Sequence, residues 1–389
     1  MPHGSIVQRA SISTEMEAAR VLEGAAEVAD RCAGAASAPD DGERDLGPEF
    51  DWLRTAGLFT VVLPRAKGGL GWGIEEGTWK HLLRLLKIIG RGNLSVGRIY
   101  EGHVNALQLV SAWGTEAQQE TAAEDARRGR LFGVWNTEAP GDGLSLAPRG
   151  GGRSYRLSGA KTFASGASLV DRVFANAALP DGGWQMCLVP LDRIEVRRDE
   201  GSWQPLGMRA TESLRVDFTG AEVDAEALIG RPGDYTQEPW FSGGAIRFAA
   251  VQLGGAEAVA EACRAFVRAQ GRGSDPHQAA RGGETAALIE TGNLWLEGAA
   301  LRAEAADTAP RELVMYAALL RRTVERIGLE VMEHAVRGGG ARSLLRPEPL
   351  ERLVRDLTMY LRQPVPDAVL VKAGQFVNES ERPFDRMWR

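Results

Sequence analysis

The side chains that most often carry chemistry are sparse in this chain, and their spacing excludes several kinds of site. Its five histidines (His3, His81, His103, His277 and His334) form no HxxH or HExxH pair, and its three cysteines (Cys32, Cys187 and Cys263) lie far apart with no CxxC spacing. Neither a metal site nor a disulfide framework is expected. No GxGxxG turn follows a strand-like run, so a dinucleotide would not be held in the Rossmann manner. Attention falls on "YLRQPVPDAVLVKAG", from Tyr360 to Gly374, just after Arg355 and Asp356. Proline lacks an N–H and restricts the residue before it, so Pro364 and Pro366 predict a helix break at about Gln363. Asp367, directly after Pro366, has the position of a helix N-cap. Arg355 with Asp356 reads as a buried structural pair.

The elements that would position such residues form three stretches. At 389 residues the chain calls for two or three domains. Hydrophobic residues make up 44% and charged residues 25%, as in ordinary globular proteins. The formal charge of −6 is spread over mixed arginines and glutamates, which disfavours nucleic acid or an anionic membrane as a partner. No run approaches the roughly 18 apolar residues of a membrane span, and the cysteines suit a reducing cytoplasm. Residues 1–130 are helical in pattern, as in "EEGTWKHLLRLLKIIGRG". Residues 131–235 change to short strand-like runs such as "RVFANAAL" and "WQMCLVPL", with hairpin chemistry in "RGGGR" and "LPDGGW". Residues 236–389 return to alanine-rich helical periodicity in four long segments, which predicts a four-helix bundle.

Several phrases in that order resemble the acyl-CoA dehydrogenase family: "LFGVWNTEAPGDG", "LSGAKTFASGASLVDRVFANA", "WQPLGMRATESLRVDFTGAEVDAEALIG" and "LERLVRD". The resemblance implies an α+β multidomain fold with an N-terminal helical domain, a middle β-barrel and a C-terminal four-helix bundle. It also implies bound FAD, with Asn136, Thr137, Phe163 and Ser165 beside the isoalloxazine ring. Phe163 stands where the family usually has tryptophan. Gly143 and Ser145, with Gly338 and Gly339 of "RGGGARSLL" presented by a neighbouring subunit, are the implied pyrophosphate contacts. Arg272 stands in for an arginine that reaches the adenylate. A homodimer or homotetramer is implied.

In that family a glutamate takes the α-proton of the thioester, and the alignment puts Pro364 in its place. Gly243, Gly244 and Ala245 supply no carboxylate at the family's second known position. Asp367, Tyr360 and Glu138 are candidates for a displaced base, while His103 reads as packing; no catalytic residue is assigned. Three functions follow from the resemblance: an FAD-dependent oxidoreductase of acyl-CoA dehydrogenase type without its usual base, acting on an acyl-CoA or similar small molecule; a flavin monooxygenase using O2 and flavin from a partner reductase; and a catalytically silent FAD-binding homologue.

Overall fold

The computed structural model describes residues 3–362 and 366–388. Its N-terminal part is helical, with helices His3–Ala35, Trp79–Gly92, Leu94–Trp113 and Glu116–Arg127 as its main elements. Local chemistry sets their ends. The Asn93 side chain accepts from the N–H groups of Ser95 and Val96, and Thr115 with Gln118 forms a reciprocal capping box. In Trp79–Gly92 the leucines at 82, 83, 85 and 86 and Ile89 form one buried stripe at helical spacing.

The central region is built of strands β1 (Phe132–Val134), β2 (Thr137–Glu138), β3 (Ser145–Arg149), β4 (Ser154–Ser158), β5 (Ala160–Ala164), β6 (Arg172–Ala178), β7 (Trp184–Pro190), β8 (Arg197–Asp199), β9 (Leu214–Asp217), β10 (Glu222–Asp224) and β11 (Leu228–Ile229). They make two sheets. One runs β10-β4-β3-β6-β7-β11, with β1 parallel to β6, and the other runs β2-β5-β9-β8. Both expected hairpins form: positive-φ glycines 150–152 join β3 to β4, and Gly182 and Gly183 join β6 to β7.

Helices Ala245–Ala269, Pro276–Glu304, Pro310–Gly339 and Pro349–Tyr360 make the C-terminal bundle, and a further helix, Pro366–Glu379, follows it. Four of these five start on proline, whose missing N–H costs nothing at the first helical position. Asp367 is therefore inside the first turn of the last helix and is not its N-cap. The expected break at Gln363 and the Pro364 position lie outside the described residues. Helix Ala245–Ala269 meets Trp79–Gly92 backbone to backbone: a Cβ on Gly254 would lie 2.0 Å from the Lys87 carbonyl oxygen, and one on Gly90 would lie 2.3 Å from that of Val251. No described helix is long and apolar enough to cross a membrane.

His103 fastens the helical part to the first strand. Its Nδ1 accepts from the Phe132 N–H at 3.1 Å, so Nε2 carries the proton and donates to the Phe59 carbonyl at 2.9 Å. The ring is fully buried, and burial pushes its pKa down to about 4. The unfolded chain takes up this proton near 6.5 and the folded one only near 4. Stability from this group is therefore complete above pH 6.5 and is lost as pH falls toward 4, by roughly 3 kcal/mol. We expect His103→Gln, which keeps a donor and an acceptor but cannot titrate, to show a flatter decline in melting temperature over that window. Parallel declines in the two proteins would remove His103 as the cause.

Candidate functional site

Strand β5 contributes the most unusual residue of the chain. Its pairing with β9 shifts register between Lys161 and Ala164, and within the irregularity Phe163 adopts φ +51° with its ring 53% exposed. A left-handed backbone costs an ordinary side chain about 1–2 kcal/mol, and such strain collects where a side chain must be aimed. Among the described residues only Met208 (φ +58°) and Glu212 (φ +40°) share this conformation with Phe163 outside glycine. Phe163 and Met208 line the same cavity, and Glu212 lies between Thr211 and Ser213, which also line it.

That cavity, of about 230 Å³, lies between the small sheet and the end of helix Pro349–Tyr360. Phe163 meets Trp203 edge to face at 5.7 Å. Behind them runs a hydroxyl chain: Ser165 Oγ lies 2.9 Å from Ser213 Oγ, which lies 2.8 Å from Thr211 Oγ1, and Thr211 donates to the Met208 carbonyl. Asp356 holds this loop by accepting from the Met208 N–H at 2.6 Å. A Cβ on Gly207 would fall 2.1 Å from the Arg355 carbonyl oxygen, so only glycine lets the loop lie this close on the helix. The expected Arg355–Asp356 pair does not form. Asp356 is paired with Arg352, one helical turn away, whereas Arg355 reaches Asp40 at 2.7 Å and Glu351 at 2.5 Å. Residues 355 and 356 point about 100° apart on a helix, so they cannot share partners.

A second cavity of about 420 Å³ adjoins the first, and Arg98, Thr137 and Phe163 line both. Its base is the buried network of helix Leu94–Trp113. Glu101 Oε1 accepts from Arg247 Nε at 3.0 Å and Oε2 from Arg98 Nη1 at 2.9 Å, while Arg247 Nη1 donates to Gln108. Aromatic residues of the segment before and within helix Ala245–Ala269, Tyr235, Trp240, Phe241 and Phe248, form one wall. Asn136 also lines the cavity; its Oδ1 accepts from the Asn176 N–H, and its side chain neighbours the Tyr235 hydroxyl.

Asn136, Thr137, Phe163 and Ser165 are thus brought together around the two joined cavities. The other expected contacts lie elsewhere. Gly143 bridges to Ala160, and Ser145 starts β3, donating to the Ser158 carbonyl. Arg272 is exposed in the turn after helix Ala245–Ala269. Gly338 and Gly339 are the last two residues of helix Pro310–Gly339 and are not in a loop, so the helical ladder takes up their N–H groups. Of the candidate bases, Asp367 is exposed and lines neither cavity. Val369 and Lys372 face the cleft from its helix, and Asp367 is turned about 200° from Val369. Glu138 is held by Lys161 and by the Leu144 N–H. Tyr360 lines the smaller cavity, but burial raises its phenol well above its usual pKa. Sequence reasoning missed Arg98, Glu101, Arg247 and the aromatic wall. The signal was present as charged residues three apart in the otherwise apolar run "LSVGRIYEGHVNALQLV".

Residues 246–362 match the acyl-CoA dehydrogenase C-terminal domain family. The whole fold superposes on dibenzothiophene monooxygenase TdsC from Paenibacillus sp. A11-2, solved with FMN and indole, with a TM-score of 0.83 and 22% identity over 95% of this chain and 100% of that one. Helices, central sheets and bundle therefore define an acyl-CoA dehydrogenase-like fold. The family match is confined to the bundle, so there the chain is similar to that family, while over the rest of its length it shares the fold. Among curated relatives, a dibenzothiophene monooxygenase of Mycolicibacterium goodii is 26% identical over 68% of this chain, and the match spans only 65% of that relative's length. A probable FMNH2-dependent monooxygenase of Pseudomonas putida, SfnC, is 25% identical over 92% of this chain and 95% of its own.

Proposed function

We propose that the protein is a flavin-dependent monooxygenase that oxidises a small molecule in the larger cavity, fed with reduced flavin by a separate reductase. One observation carries this reading in preference to a dehydrogenase. Glu101 is the only carboxylate lining either cavity among the described residues, and both its oxygens already accept from arginines. A proton-abstracting dehydrogenase needs a carboxylate within reach of the substrate carbon. The monooxygenase relatives support the same choice.

The residues fit a flavin ring. Phe163 and Trp203 offer aromatic faces, and the Ser165 hydroxyl and the Asn136 amide offer hydrogen-bonding groups at the joined cavities. Bound and reduced, a flavin supplies the electrons that let O2 react with an organic substrate. The chain itself does the rest. Tyr235, Trp240 and Phe241 give the larger cavity an aromatic wall, and Arg98, held by Glu101, lines both cavities. These contacts address the ring shared by FMN and FAD, and titration with each measures the preference.

Ser165→Trp fills the smaller cavity, and we expect it to weaken FMN and FAD affinity at least about tenfold, or 1.4 kcal/mol, in fluorescence titrations. Unchanged affinity would take Ser165 out of the site. The functional test supplies reductase, FMN, NADH and 18O2 with indole, dibenzothiophene and 2-naphthoate. One labelled oxygen in a product is expected. Unlabelled products throughout, together with rapid anaerobic flavin reduction by an acyl-CoA, would overturn the proposal.

A further inference from the structure

Where the two cavities meet, the chain holds a cluster of charges that does not sum to zero. Arg98 and Arg247 share the single carboxylate of Glu101, Arg98 through Nη1 at 2.9 Å and Arg247 through Nε at 3.0 Å. Two cations against one anion leave one formal positive charge. The cluster is also ordered in depth. Glu101 and Arg247 are buried, whereas Arg98 is 28% exposed and alone of the three lines the smaller cavity as well as the larger. The positive end of the cluster is therefore the one that borders both cavities, in a partly dry setting where water screens charge poorly.

Neighbouring groups do not cancel it. Tyr360 lines the smaller cavity and Tyr235 the larger, and both feel the charges of Arg98 and Glu101, so the field of the cluster reaches each cavity. Burial raises both phenols, which stay neutral and add no negative charge. Among the described residues no carboxylate but Glu101 lines either cavity. Arg362, the second cation of the smaller cavity, is matched by Glu325 at 3.4 Å.

A net positive charge beside a flavin ring acts on one redox state more than on the other. The oxidised ring is neutral. Two electrons, with one proton taken at N5, convert it to a reduced ring that carries a negative charge over N1 and the C2 carbonyl oxygen, and a nearby cation favours that form. We infer that Arg98, backed by this cluster, makes the site selective for reduced over oxidised flavin, so that the protein takes up the flavin as a reductase delivers it. The inference rests on the reading above only in placing the flavin ring beside Phe163 and Ser165. One unit of charge close to the ring in a partly buried cleft changes the ratio of the two affinities at least about tenfold. By linkage, each factor of ten raises the midpoint potential of the bound two-electron couple above that of free flavin by about 30 mV.

The test is anaerobic calorimetric titration of the protein with oxidised FMN and with dithionite-reduced FMN, together with the midpoint potential of the bound flavin. The ribityl chain and phosphate are common to both forms, so the ratio of affinities reports the ring alone. Reduced FMN is expected to bind at least about tenfold more tightly. Arg98→Met should shrink that ratio severalfold by weakening the reduced form, and Arg98→Lys, which keeps the charge, should restore most of it. Glu101→Gln removes the negative charge while keeping the shape, and should enlarge the ratio. Opposite signs at the two ends of one hydrogen bond distinguish an electrostatic role from a structural one, since either substitution loosens the same contact. Equal affinities in the parent, an unchanged ratio in Arg98→Met, or a fall in both Arg98→Met and Glu101→Gln would overturn the inference. Absence of binding by either form would overturn it together with the monooxygenase reading. Selective binding of reduced flavin without label incorporation from 18O2 would instead defeat the monooxygenase reading and leave this one standing.

Discussion

Butyryl-, octanoyl- and palmitoyl-CoA will bleach the flavin-loaded protein on the order of 10²- to 10⁴-fold more slowly than an enzyme with a positioned base, the usual contribution of general base catalysis. The reason is the electrostatic layout of the cleft. Glu101 has the right chemistry but is bound at both oxygens, by Arg98 and by Arg247, and it cannot turn toward a thioester without stranding a buried guanidinium. Asp367 faces away, and Glu138 is occupied by Lys161. Anaerobic stopped-flow absorbance at 450 nm is the measurement. Reduction at many turnovers per second by any thioester would show a working base, and its loss in Glu101→Gln or Asp367→Asn would identify it.

Glu101→Leu should cost about 3–5 kcal/mol of stability, because removing one partner of a buried ion pair leaves the other charge uncompensated. The side chains of Arg247 and Glu101 are 7% and 5% exposed, so water cannot replace the lost carboxylate. Arg98, at 28%, can solvate itself. The double variant Glu101→Leu/Arg247→Met exchanges the pair for apolar groups, and most of the loss should return, since such replacements are often close to neutral. Gln108 loses one bond but keeps its donation to the Gly73 carbonyl at 2.7 Å. Urea unfolding of the three proteins decides the matter. A single variant within 1 kcal/mol of the parent, or a double variant no better than the single, would refute this account of the network.

Much of the architecture was legible from local pattern. The stripe of Trp79–Gly92, the cap at Asn93, and the hairpins at "RGGGR" and "LPDGGW" each depend on residues within a few positions of one another. Hydrophobic period and turn chemistry act over that distance, so the sequence alone determined the helical, β and helical stretches. The phrases "NTEAPGDG" and "KTFASG" likewise drew Asn136, Thr137, Phe163 and Ser165 to notice, and the fold brings these four together.

Only the tertiary structure decided what those residues face. Glu101 meets Arg247 across 146 residues, and the Asp356 carboxylate meets the Met208 N–H across 148. Neither pairing leaves a trace in local periodicity, because a carboxylate on a helix reads the same whether it points to water or to a distant arginine. The αL turn of Phe163 is equally invisible, since strain of that kind is tolerated only where surrounding contacts over-determine it. Sequence determined which segments would be helix and strand, because propensity is summed over neighbours. The tertiary fold decided the charge and the aromatic wall of the cleft and the arginine partners of Glu101, because each depends on side chains that are close only in space.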